Sequence, residues 1–356
     1  MEEGLFLRGK NMEQTKYIII YQNLAINNLA FLIPGIKDLD WDSHLDRDGR
    51  VKFTYGNVIY KLDASRKSKP LSARTHQVLM YIISKYTSCV RQASSDKWIE
   101  EHLKITLPFE EIARDFDMSL HAVKPMVMLA LDFLYDLDIY AYWKRGRSNA
   151  FRKAHAVESF VLDTHDVTRK GYATVLLDKS FAKFLSFMSV IQYPNNLWKI
   201  PVKYHCSAFQ MGHLMVMRNK MNFLKRNWNR ISVEDFLEHA SSIPKKTSLG
   251  RAKQYRQRII VPFIREINLL VQFGILEDWK FLCDNRHILY DNIKFLDYDD
   301  FEKGIIEYTL SGKPEQTYVK RAVRTALSPQ QAHYKSPNSD GDTDEYIEPY
   351  YIDCVN

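Results

Sequence analysis

No stretch of this chain approaches the ~18 consecutive apolar residues that mark a membrane-spanning helix. Its opening, MEEGLFLRGKNMEQ, lacks the apolar centre of a secretory signal. The four cysteines, Cys89, Cys206, Cys283 and Cys354, are scattered without a CxxC pair. That spacing speaks against structural zinc and for a reducing compartment. The expectation is a cytoplasmic protein with no cofactor, no metal and no membrane partner.

Catalytic signatures are missing as well. There is no GxxxxGK[ST] loop to cradle phosphates and no GxSxG elbow. None of the eleven histidines forms the His-x-His pair of a metal-dependent nicking enzyme, His205 and His213 being the nearest to examine. Arg286-His287 lacks the His-x-x-Arg spacing of a tyrosine recombinase. His155, Asp163, Thr164 and His165 read as a solvated loop rather than a metal site. With 21 tyrosines, a lone nucleophile candidate such as Tyr255 carries no weight. These absences point away from an enzyme; a nicking or strand-transfer activity is the alternative, and single-strand cleavage would establish it.

What the chain has is uneven charge. The net charge is +7 over 356 residues, yet no Lys or Arg follows Lys335, where six acids lie. Without that tail the remainder carries +13. A basic body suits a polyanionic partner such as nucleic acid.

The basic residues concentrate between Pro244 and Arg265, where seven Lys or Arg occur and no acid precedes Glu266. Within Arg251–Phe273, RAKQYRQRIIVPFIREINLLVQF, residues Ile260, Phe263, Ile264, Ile267, Leu270 and Val271 recur at helical spacing. Arg251, Gln254, Tyr255, Arg258 and Arg265 fall on the opposite side of that helix. Upstream, Ser232 is placed to cap a short helix opened by Val233, Phe236 and Leu237, and a loop from Ser241 to Gly250 joins the two. Downstream, Ile275–Leu282 and His287–Phe295 read as strands around the turn Cys283-Asp284-Asn285-Arg286. Helix, turn, helix and a two-stranded wing describe a winged helix, whose second helix enters the major groove.

The segment RIIVPFIREINLL resembles the recognition helix of the iteron-binding plasmid replication initiators, the Rep_3-type family of RepA- and RepB-like proteins. The matching residues are Tyr255, Arg256, Arg258, Ile259, Ile260, Pro262, Ile264, Glu266, Ile267 and Asn268. The resemblance implies a plasmid protein that binds direct repeats in double-stranded DNA, opens the origin and recruits the host helicase and initiator. It also implies a homodimer that represses its own gene. A dedicated transcription regulator, binding a promoter palindrome, is the alternative within the same fold.

A second winged helix is read earlier in the chain. Leu71–Thr87 is an amphipathic helix, Ile105–Leu107 a strand, and Pro108 starts a helix carrying Phe109, Ile112, Ala113 and Phe116. Asp117-Met118-Ser119 is the turn, with Asp117 where glycine is usual and Ser119 as cap. Leu120–Leu137 follows, mostly apolar and with Lys124 nearly its only cation, so that it is expected to be buried. Ile139–Lys144, the turn at 145–149 and Ala156–Leu162 would form its wing, with Lys144, Arg145, Arg147, Arg152 and Lys153 at the tip. Pro125 stands 18 residues before Trp143 and Pro262 stands 17 before Trp279, which suggests duplication.

The remaining pieces complete a mainly helical α+β architecture. Residues 1–70 form an arm with a strand at Tyr17–Ile20 and a hairpin across Val51–Leu62, around Gly56-Asn57. The first winged helix spans 71–195, including a strand-helix link at Tyr172–Phe187. The second spans 196–300, opening with a helix at Ala208–Phe223 near Arg218, Lys220, Lys225, Arg226 and Arg230. Residues 301–356 form an acidic tail expected to be disordered. On DNA, Lys245, Lys246 and Lys253 would hold phosphates. Arg251, Gln254, Tyr255 and Arg258 would face base edges, with Arg256 and Arg265 beside them. The tip cations would grip the backbone of a neighbouring half-site.

Overall fold

The computed structural model describes residues 17–21, 44–55, 58–64, 73–92, 103–145, 148–164, 171–186, 190–221, 227–252, 254–283, 286–288 and 290–312. Helix and strand are mixed, with helix the larger share. The outer part of one hairpin, Tyr142–Phe151, separates from the rest as a unit of its own. Everything else below belongs to the larger unit.

That unit contains the same arrangement twice. In the first half, α1 (Ala73–Gln92) is followed by β4 (Lys104–Pro108), α2 (Phe109–Asp115), α3 (Leu120–Asp136), β7 (Val157–Thr164) and β8 (Gly171–Leu177). In the second, α5 (Cys206–Met221) is followed by β10 (Arg230–Ser232), α6 (Val233–His239), α7 (Val261–Gln272), β11 (Leu276–Cys283) and β13 (Ile305–Leu310). Each half closes an antiparallel sheet with its last strand in the middle, β4-β8-β7 and β10-β13-β11, the latter extended by β12 (Arg286–Ile288).

Local chemistry accounts for the helix ends. The Ser232 hydroxyl accepts from the Asp235 amide at 3.1 Å, capping α6 as its sequence suggests. Asp117 adopts φ 49°, the left-handed turn conformation that Asp tolerates better than most residues. The Met118 amide then bonds the Ala113 carbonyl at 2.9 Å and closes α2. Ser119 stands in extended backbone before α3, but its side chain makes no capping bond.

The two opening helices form the centre. Val78, Leu79, Ile82, Ile83 and Tyr86 are buried on the expected side of α1, but so are His76, Gln77, Met80 and Tyr81 on the others. The amphipathic reading was too narrow, because α1 is covered by both halves. The Gln77 side-chain amide donates to the carbonyls of Leu197 and Ile200 at 3.3 and 3.4 Å, tying the first half to the segment that opens the second. His76 and His213, both fully buried, meet edge to face with ring centroids 4.9 Å apart. Within the second half α5 and α7 cross at Gly212, where an added Cβ would lie 2.5 Å from Leu197 Cδ2 and 3.0 Å from Leu270 Cδ2.

The His76–His213 contact sets a pH dependence. Burial pushes the His213 imidazole well below its ordinary range, and His76 beside it adds to the shift. The unfolded chain protonates His213 near pH ~6.5 while the native state resists the proton. The unfolded state therefore binds more protons, and stability present above that pH falls as pH drops below it, by up to about 1.4 kcal/mol per pH unit for this one group. We expect urea midpoints to fall between pH 7 and pH 5.5, and His213→Leu to flatten that slope. An unchanged slope in the variant would show that His213 does not contribute.

Three parts of the chain are placed differently from the sequence reading. The strand returning from the 145–149 turn is not Ala156–Leu162. It is β6 (Ser148–His155), and β5 (Asp138–Arg145) and β6 form one sheet with β2 (Arg50–Tyr55) and β3 (Val58–Asp63), in the order β2-β3-β5-β6. Trp143 thus lies in an inserted hairpin, whereas Trp279 lies in β11, so the proline–tryptophan spacing matched non-equivalent strands. The duplication is expressed in topology instead. Finally, Ile305–Leu310, read as part of the acidic tail, is the middle strand of the second sheet, paired with both β10 and β11.

The other early elements hold. Tyr17–Tyr21 is β1, and it pairs antiparallel with β9 (Val190–Pro194), from Tyr17↔Pro194 to Tyr21↔Val190. The hairpin forms with Tyr55 opposite Val58, its Gly56-Asn57 turn falling outside the described residues. The link at Tyr172–Phe187 comprises β8 and α4 (Lys179–Ser186), but β8 is also the central strand of the first sheet.

Candidate nucleic-acid interface

The segment before α7 is not one continuous α-helix. Lys246–Ala252 is a 3-10 helix where a loop was expected, and Arg256–Ile260 forms a π-turn that runs into α7. Pro262 supplies the reason. It lies in the first turn of α7 and has no amide hydrogen, so the regular bonding pattern is interrupted there. The Val261 amide instead reaches back five residues to the Arg256 carbonyl. Pro125, by contrast, sits inside α3, which continues through it.

The wider π-turn changes which residues face outward. Ile259 and Ile260 are buried, as are Phe263, Ile264, Ile267 and Leu270 below them. Gln254, Arg258, Val261 and Arg265 form an exposed stripe, and Arg256 and Gln257 are exposed beside it. Tyr255, expected to reach base edges, is half-buried and packs on Tyr298 with ring centroids 5.0 Å apart. Val261, 41% exposed between Arg258 and Arg265, was not singled out from sequence because aliphatic residues there were counted toward the core.

Glu266, which carries the motif's acid, is buried and structural. Its Oε2 accepts from the Ala208 amide at 3.2 Å, near the start of α5. Its Oε1 lies 3.1 Å from His205 Nδ1 and accepts from Arg265 at 2.9 Å. Asn268 is structural too, its Oδ1 accepting from Trp279 Nε1 at 2.9 Å, which ties α7 to β11. The motif's Glu and Asn therefore hold the helix in place, and Arg265 reaches the outer face with its guanidinium already paired.

The insertion between β11 and β13 packs on the same face. It holds β12, α8 (Tyr290–Ile293) and α9 (Tyr298–Glu302), in place of the long strand expected over His287–Phe295. Lys246 donates to Asp299 Oδ1 at 2.6 Å and lies 4.6 Å from the Tyr298 ring centroid. The Arg256 guanidinium lies 4.6 Å from the Phe295 ring centroid. Lys245 is exposed next to Lys246. The Arg251 side chain and all of Lys253 fall outside the described residues.

Lys246 and Asp299 shift each other's titration. The carboxylate raises Lys246 and the ammonium lowers Asp299, in each case mainly through their hydrogen bond. Both groups are largely exposed, so the pair contributes little to the fold. It matters for ligand binding, because an incoming phosphate must displace Asp299 from Lys246.

The first half offers less basic surface. Of its tip cations, Arg147 and the side chains of Lys144, Arg145 and Arg152 lie outside the described residues. Lys153 is exposed, but its ammonium is 3.1 Å from Asp138, a fully buried carboxylate that also receives Arg50 and lies 2.9 Å from His155 Nδ1. Lys153 therefore serves the fold. Nor is α3 buried as expected: Met128, Leu129 and Tyr135 are exposed by 43%, 55% and 49%. Among the described residues no cluster of three or more His, Cys, Asp or Glu could hold a metal ion.

No family model and no curated protein matches this chain. Two solved structures resemble it. One is the crystal structure of domains 2 and 3 of RctB, at TM-score 0.41 and 10% identity, covering 80% of this chain and 98% of the other. The second is the Pi initiator protein in complex with iteron DNA, at TM-score 0.40 and 9% identity, covering 73% and 100%. At such scores neither likeness identifies this protein.

Proposed function

We propose that this protein is an origin-binding replication initiator built from two winged-helix halves. The observation that carries the reading is the Gln254–Arg258–Val261–Arg265 stripe, exposed on the second helix of a helix-turn-helix whose opposite side is core. A helix in that position, flanked by Lys245 and Lys246, suits the major groove of double-stranded DNA. Arg258 is suited to guanine, Gln254 to adenine and the apolar Val261 to a thymine methyl. The motif resemblance supports direct repeats as the target. Origin opening, recruitment of a host helicase and initiator, autorepression as a homodimer and a cytoplasmic, plasmid-borne setting complete the proposal. No helix among the described residues is long and apolar enough to cross a membrane.

Footprinting on DNA flanking the protein's own gene, at two salt concentrations, tests this. Regular protection over direct repeats is expected. A single protected palindrome would replace the initiator reading with a transcription regulator, and binding without a preferred site would remove both.

Lys246 gives a further check. Lys246→Ala should weaken binding to all sequences alike and lower the slope of log affinity against log salt by about one. Asp299→Asn should strengthen binding in the same sequence-independent way, because it frees Lys246. Salt titrations with specific and unrelated duplexes measure both; an unchanged slope for Lys246→Ala would remove it from the phosphate contacts.

A further inference from the structure

Phe295 is the most exposed large apolar side chain among the described residues, at 70%. Its exposure is not the result of a loose loop. Ile293 two residues before it is 1% exposed, and Leu296 after it packs against the core. The Phe295 amide donates to the Asn292 carbonyl at 3.0 Å and the Leu296 amide to the Ile293 carbonyl at 3.2 Å, closing the turn that presents the ring. Arg256, next to the outward stripe of the reading helix, stacks its guanidinium on that ring. A cation fixed against an aromatic face is favourable in itself, and here it places a flat, apolar surface within a basic one. A basic surface attracts phosphates, and an aromatic ring within it offers a π-face to a base.

We propose that Phe295, backed by the Arg256 guanidinium, is a stacking surface for a nucleobase displaced from the helical stack of the bound DNA. The inference rests on the DNA-binding reading above and adds a local distortion of the duplex to it. Apolar side chains that enter a base step unstack it and kink the duplex, and an initiator that opens DNA needs such a starting point. The displaced base can come from a kinked duplex or from an already single strand, and the same ring serves either.

The test uses the full chain and its Phe295→Ala, Phe295→Leu and Phe295→Trp variants. Permanganate, which oxidises unstacked thymines, is applied to the footprinted duplex, and binding to an oligo-dT of about 20 nucleotides is measured in parallel. The wild-type protein should create reactive thymines inside its footprint. Phe295→Ala and Phe295→Leu should keep the footprint and lose the reactivity, while Phe295→Trp retains it. A loss confined to oligo-dT binding, about tenfold for Ala and Leu, would assign the base to a single strand. Reactivity and oligo-dT binding that are both unchanged in Phe295→Ala, or a Leu variant that performs like wild type, overturn the stacking role alone. No footprint from the wild-type protein overturns the DNA-binding reading and this inference together.

Discussion

Replacing Asp138 with alanine is expected to lower the stability of the fold by about 3 kcal/mol, the low end of the cost of breaking a buried ion pair. The carboxylate is fully buried at the start of β5 and gathers Arg50, Lys153, His155 and the Tyr140 hydroxyl, the last at 3.1 Å. The low end applies because the partners are not themselves sealed: Arg50, Lys153 and His155 are 25%, 45% and 39% exposed and regain water once the anion is gone. Arg50 also keeps its bond to the Asp136 carbonyl at 2.7 Å. Asp138→Asn should recover part of the loss, since an amide oxygen still accepts from Arg50 and Tyr140. Denaturant midpoints measure this, and an unchanged midpoint for Asp138→Ala would show that the cluster does not hold β5 in its sheet. The same cluster predicts that Lys153→Ala lowers stability before it affects DNA binding.

Arg258→Ala is the largest effect expected on function. It should cost about 1–3 kcal/mol of specific binding, about five- to 150-fold in affinity, and relax preference at one base pair. Arg258 starts from a fixed backbone, its amide bonded to the Gln254 carbonyl at 3.0 Å, and its side chain is exposed. Arg265, on the same stripe, is already held by Glu266 and should cost less when removed. Competition between the footprinted duplex and unrelated DNA separates the two kinds of contact. If Arg258→Ala weakens both duplexes equally, Arg258 holds phosphate and the division of labour with Lys246 is wrong.

The sequence by itself determined the features that depend on near neighbours. The cap at Ser232, the left-handed turn at Asp117, the hairpin around Gly56-Asn57 and the buried stripe from Ile260 to Leu270 follow from side-chain chemistry and spacing within a few residues. The basic stretch before Arg265 is legible for the same reason, and with it the position of the reading helix.

Only the tertiary structure decided what pairs with what. Strand periodicity does not name a partner. Thus β5 and β6 join β2 and β3, β1 finds β9 across most of the chain, and β13 enters the middle of a sheet from a segment that composition assigned to a tail. Exposure in the candidate site was hidden in the same way. Tyr255 is withdrawn by Tyr298, Lys246 is held by Asp299, and Phe295 is raised beneath Arg256, all through a segment 40 or more residues away in sequence from two of those partners, or close to it. The π-turn before Pro262 then sets which side chains of the reading helix face outward, because one missing amide hydrogen widens the turn that launches them.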